Sequence, residues 1–209
     1  MKSVLISIQP KWCELIASGK KTIEVRKTAP KLETPLKCYI YMTKNPEKLI
    51  EVLHKGDDIY GMEYTDETPT FIKIDKYSLV ATPLYGKTQK VIGEFVCDEI
   101  MPIMSFCSEP NAIKPHELPF IGMTDKEVID YLGNGKEGCG LHISELTIYD
   151  TPKELGEFKT IKRCKDWRYF DMCSDVCGYA ENNQCHKGII TKRVTRPPQS
   201  WMYVQELNS

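Results

Sequence analysis

Lys20, Lys21, Thr22, Glu24 and Arg26 crowd into the run 19–26, where cations and a carboxylate alternate with the apolar residues Ile23 and Val25. On a strand, side chains two apart share a face, so Thr22, Glu24 and Arg26 project one way while Ile23 and Val25 point into a core. Such a set suits an anionic or hydrogen-bonding ligand. Lys21 in a partly enclosed cleft binds phosphate as a point charge or, with its pKa lowered by desolvation, serves as a general base. Arg26 offers a planar donor fork. Glu24 either accepts from the amino group of a base or pairs with Arg26 or Lys21. Tyr39, Tyr41, Trp12 and Trp201 are candidate stacking platforms for a base.

A second set lies in the C-terminal third. Cys164, Cys173, Cys177 and Cys185 fall in a stretch poor in aliphatic residues, with His186 beside the last as an alternative ligand. Four soft ligands in so short a segment could close a tetrahedral zinc site, and metal binding would supply the folding free energy that the stretch otherwise lacks. The spacing does not decide between zinc and ordinary reduced thiols. The remaining five cysteines are dispersed through expected core elements, as small apolar residues would be. Lys159, Lys162, Lys192, Arg193 and Arg196 make the region locally basic, and aromatic residues interleave with them.

The elements that position the charged run are legible around it. Residues 3–8 alternate as a first strand, Pro10 opens a helix with Trp12, Leu15 and Ile16 on its apolar side, and Gly19 ends it. Residues 36–42 form a strand with Cys38, Ile40 and Met42 on one face and Tyr39 and Tyr41 on the other. Residues 45–53 read as a helix. Strands are expected between 70 and 98, with Gly93 marking a bulge, and 102–119 reads as a long loop. Thr124 and Glu127 have capping-box spacing before a helix that ends at Gly133. Residues 141–149 change hydrophobic parity midway, which calls for a bulge near Ser144 or Glu145, and place His142 opposite Leu141. A short helix over 152–158 and a last strand over 200–207 complete the reading.

The length of 209 residues suits one core with an insertion, and 28 basic against 29 acidic residues exclude a bulk electrostatic nucleic-acid binder. Any nucleic-acid contact must come from a local patch. No run approaches a signal peptide or a membrane span, so a cytoplasmic location without membrane partners is expected, as is the absence of an organic cofactor.

Gly19, Lys21, Glu24 and Arg26 fill the pattern Gly-x-Lys-x-x-Glu-x-Arg, preceded by Ser7, Ile8, Gln9 and Pro10 and the helix. In this the chain resembles the ASCH domain family of the PUA-like superfamily, and residues 91–98, 141–149 and 196–204 look like its later strands. The resemblance implies an α+β fold: a small β-barrel flanked by short helices over residues 1–158 and 194–209, with a Cys-rich insertion over 159–193 before the last strand. It also implies RNA or nucleotide binding in a cationic cleft formed by Lys20, Lys21, Glu24 and Arg26, with Tyr39, Tyr41 and Trp201. An enzyme using the same cleft is the alternative. Some relatives resemble amidohydrolases of modified nucleosides, with a motif lysine and a threonine nucleophile. Glu24 occupies that threonine's position, so Lys21 with Thr22 or Glu24 would have to serve. Others look like ribonucleases using lysine, tyrosine and serine, for which Lys21, Tyr39, Tyr41 and Ser144 are the candidates.

Overall fold

Strand β1 (Lys2–Ile8) runs into helix α1 (Pro10–Ala17), with Pro10 at the helix start, where its missing N–H leaves no donor unsatisfied. Gly19 takes the left-handed conformation with φ 72°, and the chain enters β2 (Ile23–Arg26). The computed structural model describes residues 1–44, 49–52, 58–59, 62–63, 70–75, 78–81, 87–105, 121–163, 185–186 and 189–207. Then come β3 (Leu36–Met42), β4 (Leu49–Val52), β5 (Asp58–Ile59), β6 (Met62–Glu63), β7 (Thr70–Asp75), β8 (Ser78–Ala81), β9 (Val91–Cys97) and β10 (Ile100–Met104). Helix α2 (Asp125–Leu132) precedes β11 (Glu137–His142) and β12 (Ser144–Lys153). A 3-10 turn (Leu155–Glu157) leads to β13 (Lys159–Arg163), β14 (Cys185–His186), β15 (Ile189–Arg193) and β16 (Trp201–Gln205).

Eight strands form one sheet in the order β12-β9-β3-β1-β16-β13-β15-β14, and three form a second in the order β10-β11-β2. Smaller sheets join β4, β7 and β8, and β5 with β6. The mainly β fold with few helices agrees with expectation, but the barrel does not. Edge strands β12 and β14 do not pair with each other, and β2 pairs with β11 rather than with the large sheet, so the sheets are not closed into a barrel.

Period-two alternation sorts the apolar side chains onto the two faces of the large sheet. Val4, Ile6 and Ile8 join Cys38, Ile40, Met42 and Phe95 in one core, while Leu5, Tyr39 and Tyr41 join Phe158 and Val204 in the other. Strand β1 is therefore buried from Ser3 to Ile8. Ile23 and Val25 do point into a core, a third one shared with Ile103, Val128 and Leu132, in which α2 covers the small sheet. The expected capping box is present: Glu127 N donates to Thr124 Oγ1 at 3.2 Å, and Thr124 N donates to Glu127 Oε2 at 2.9 Å.

Two expectations about local structure are overturned. The helix over 45–53 is replaced at 49–52 by β4, which pairs with β7 from Leu49↔Lys73 to Val52↔Thr70. Ile50 and Val52 are β-branched, and their strand preference prevails over the helical spacing. Pro102 lies within β10, not in a loop; the strand is at a sheet edge and the proline is exposed, so its missing N–H breaks no ladder bond. The bulge expected near Ser144 or Glu145 coincides with a register irregularity in β12, just after the chain changes sheet. The chain leaves β11 at His142 and starts β12 at Ser144, with Glu145 at φ 46° and a register shift between Ser144 and Thr147. Gly93 lies at the register shift between β3 and β9, and a Cβ there would stand 2.4 Å from the Thr147 carbonyl. Cys13, Cys38, Cys97 and Cys139 are buried free thiols. Among the described residues, no helix is long and apolar enough to cross a membrane.

Candidate functional site

A cleft of about 700 Å³ opens where the C-terminal ends of β1 and β3 meet β2, α2 and the residues leading into β16. Lys21, Glu24 and Arg26 all line it, together with Ser7, Trp12 and Tyr41. Each element has a local reason to bring its residue there. The Gly19 turn lets Lys21 N donate to the Leu15 carbonyl at 2.9 Å, which ties the start of the charged run to the end of α1. Pairing of Glu24 with Leu141 and of Arg26 with Cys139 then fixes β2 against β11.

The three charges are buried, with Lys21 1%, Glu24 4% and Arg26 5% exposed. They are also largely engaged with the protein. Arg26 Nη2 lies 2.8 Å from Glu24 Oε1 and donates to the Ser7 carbonyl at 2.6 Å, while Nη1 reaches the Ser200 carbonyl at 3.5 Å. Lys21 Nζ donates to the Ile121 carbonyl at 2.6 Å and stands 5.3 Å from the centre of the Trp12 ring. Burial lowers the Lys21 pKa, and Arg26 adds to that effect, while Glu24 opposes it. The second Glu24 oxygen, Oε2, is 3.7 Å from Lys21 Nζ, an ion-pair distance too long for a hydrogen bond. Among the described residues, buried Oε2 and Arg26 Nε both lack a hydrogen-bond partner. A buried carboxylate oxygen with no donor is costly, and a ligand N–H entering the cleft would satisfy it.

The walls are less cationic than the charged run suggests. Glu127 and Asp130 of α2 line the cleft, as does Lys44, and Lys11 of α1 pairs with Glu127. Lys20 is exposed and Thr22 half-buried, and neither lines the cleft. Tyr41 lines it, but Tyr39 belongs to the core behind it, edge-on to Phe158 at 4.9 Å, with its hydroxyl accepting from Leu207 N at 3.0 Å. Trp201 also stands outside, its Nε1 donating to the Thr28 carbonyl at 2.9 Å. His142 points to the surface, where Nδ1 lies 2.6 Å from Asp98 Oδ1. Ser144 Oγ donates to the Val96 carbonyl within the sheet. Cys164, Cys173 and Cys177 lie outside the described residues, as do His54 and His116, while Cys185 and His186 form β14.

Ser7, Glu127, Asp130, Tyr131 and Gln199 were not picked out by the sequence as cleft residues. The capping box announced α2, but no local signal shows which surface a helix a hundred residues from the motif will cover. Packing of Val128 and Leu132 against Ile23, Val25 and Ile103 places the helix there, and Lys11 pairs with Glu127 beside it.

The ASCH domain model matches residues 6–115. Among solved structures, the chain is similar to the ASCH protein of Zymomonas mobilis: 15% identity, TM-score 0.48, with 98% of this chain and 88% of that one covered. It is similar to a tyrosine-to-phenylalanine variant of that protein at 14% identity and TM-score 0.49, covering 99% and 92% of the two chains. A serine-to-alanine variant gives 15% identity and TM-score 0.48, covering 98% and 89%. No curated protein matches the sequence. The family match takes in α1, the whole charged strand β2 and β3, over half of a 209-residue chain, and the chain therefore belongs to the ASCH domain family.

Proposed function

We propose that the cleft binds a nucleotide of an RNA, with Glu24 and Lys21 reading a base edge and Arg26 holding Glu24 in place. The observation that carries this reading is the buried, unpartnered Glu24 Oε2 in a cleft wall, with the Lys21 ammonium 3.7 Å away. Side by side they present an acceptor and a donor, the pattern that complements an exocyclic amino group beside a ring nitrogen. Tyr41 and Trp12 supply aromatic surface in the same cleft, and base stacking on such rings contributes about 1–3 kcal/mol per base.

Titration with nucleoside monophosphates and short RNAs tests this. Glu24→Gln keeps the shape but exchanges a charged acceptor for a neutral amide, and is expected to weaken binding by about 10- to 100-fold, corresponding to about 1.4–2.7 kcal/mol. Lys21→Met should do the same. Unchanged affinity in both variants would reject the cleft as the binding site. The same samples are assayed for RNA cleavage and for amide hydrolysis on a modified nucleoside; turnover that disappears in Lys21→Met would replace the binding reading with an enzymatic one.

For the cysteine-rich stretch the proposal is structural zinc held by Cys164, Cys173, Cys177 and Cys185, with His186 as the alternative to the last. Its support is the ligand chemistry and the scarcity of aliphatic residues. Elemental analysis of protein purified without chelator is expected to give about one zinc per chain. Metal-free protein would reject it.

A further inference from the structure

We infer that the face of the large sheet carrying Tyr203 is a track for the sugar-phosphate backbone of single-stranded RNA leading away from the cleft. It rests on the nucleotide-binding reading above for what enters the cleft, and on separate residues for everything else. Lys2 pairs with Gln205, and Lys159 pairs with Arg193. The antiparallel register anchored at Thr160↔Val204 sets Lys159 beside Gln205. Lys2, Gln205, Lys159 and Arg193 therefore form one cross-strand row over β1, β16, β13 and β15, and all four are exposed. Strands lie about 4.8 Å apart, so the row spans roughly 14 Å.

Alternation places Tyr203 and then Trp201 on the same face of β16, in the direction of the cleft. Their rings meet edge to face at 5.2 Å and are half-buried. Lys2 Nζ sits 3.7 Å from the centre of the Tyr203 ring, and Lys31 N donates to the Tyr203 hydroxyl at 2.8 Å, which brings the exposed Lys31 to the same place. Just before Trp201, Pro197, Pro198 and Gln199 form part of the cleft rim. The path from rim to cationic row is the length of β16, about 14 Å.

The charge on this face is one-sided. Residues 159–163 and 189–205 contain no Asp or Glu, and Glu206 belongs to the opposite face, 3.7 Å from the Met1 amine and 3.8 Å from Lys37. Lys2, Lys31, Lys159 and Arg193 make no ion pair with any described residue. Glu33 is the acidic side chain of the adjoining loop 27–35. In a chain of net charge -1, four cations beside two aromatic rings form the kind of local patch that a polyanion requires and that bulk charge does not provide.

The test uses Lys159→Gln/Arg193→Gln, two exposed substitutions outside the cleft. A labelled single-stranded RNA octamer and a nucleoside monophosphate are titrated against both proteins at several salt concentrations. Losing two phosphate contacts is expected to weaken octamer binding about 20-fold at 0.1 M salt and to flatten the salt slope by about 1.4, with monophosphate affinity unchanged. Unchanged octamer affinity and slope would overturn the track, as would a wild-type octamer that binds no better than the monophosphate. If the monophosphate fails to bind while the octamer still loses affinity in the variant, the track stands and the cleft reading falls.

Discussion

Arg26→Ala is expected to lower folding stability by about 3–5 kcal/mol, read as a shift of the urea midpoint with little change of slope. The guanidinium is 5% exposed and joins three parts of the chain: Glu24 on its own strand, the Ser7 carbonyl at the end of β1, and the Ser200 carbonyl entering β16. Truncation leaves the Glu24 carboxylate 4% exposed with Lys21 beyond hydrogen-bond distance, and removes a donor from the Ser7 carbonyl as well. Arg26→Lys keeps the charge, but an ammonium lacks the planar fork that reaches the carboxylate and carbonyls together, so an intermediate loss is expected. The pair Glu24→Gln/Arg26→Met should cost less than the sum of its single changes, because the carboxylate and guanidinium leave together and neither remains without the other. A loss below about 1 kcal/mol for Arg26→Ala would mean that water replaces the arginine at no great cost and that the cleft is wetter than its burial implies.

The second large effect concerns Lys21 and is read as a pH dependence. Its pKa is lowered from the usual 10.5 chiefly by desolvation, so between the lowered value and 10.5 the unfolded chain binds more protons than the folded one. Stability must then rise with pH through that window, at up to about 1.4 kcal/mol per pH unit, and the burial penalty is at its full value below it. Tyr39, Tyr41 and Tyr149 have pKa values raised by burial and act in the opposite sense above pH 10, so the quantity to measure is the difference between wild type and Lys21→Met. That difference should narrow in favour of the wild type as pH rises toward 10. A flat difference would show that Lys21 stays charged and well hydrated, and would remove the basis for giving it a proton-transfer role.

How far the sequence led to these residues depended on the range of the signal. The stretch from β1 through Gly19 to β2 was legible because each feature is local: an alternating strand, a proline start, a glycine stop and a second alternation. Lys21, Glu24 and Arg26 were found in this way. What surrounds them was not, since Ser7, Ser200 and Ile121 reach the motif through pairings that no spacing encodes. Tyr39 and Tyr41 show the limit most clearly. Period two put them on one face, but only the positions of Phe158 and Leu207 decide that Tyr39 is enclosed while Tyr41 borders the cleft. The reading of 45–53 as a helix failed for a different reason: β4 has the apolar spacing of a helix, and its strand state follows from pairing with β7.

The place of β16 between β1 and β13 bears on how the molecule is made. Strand β1 is made long before β16, a neighbour about 200 residues away in sequence, and Ser7 and Arg26 gain their contacts with Pro198 and Ser200 only with that late neighbour. Throughout translation of the intervening chain, one edge of an apolar strand lacks its partner, the condition in which nascent chains associate or recruit chaperones. Contacts of such long sequence separation also slow folding. The cleft is thus complete only once β16 has been made, because Pro197, Pro198 and Gln199 of its rim arrive with that strand.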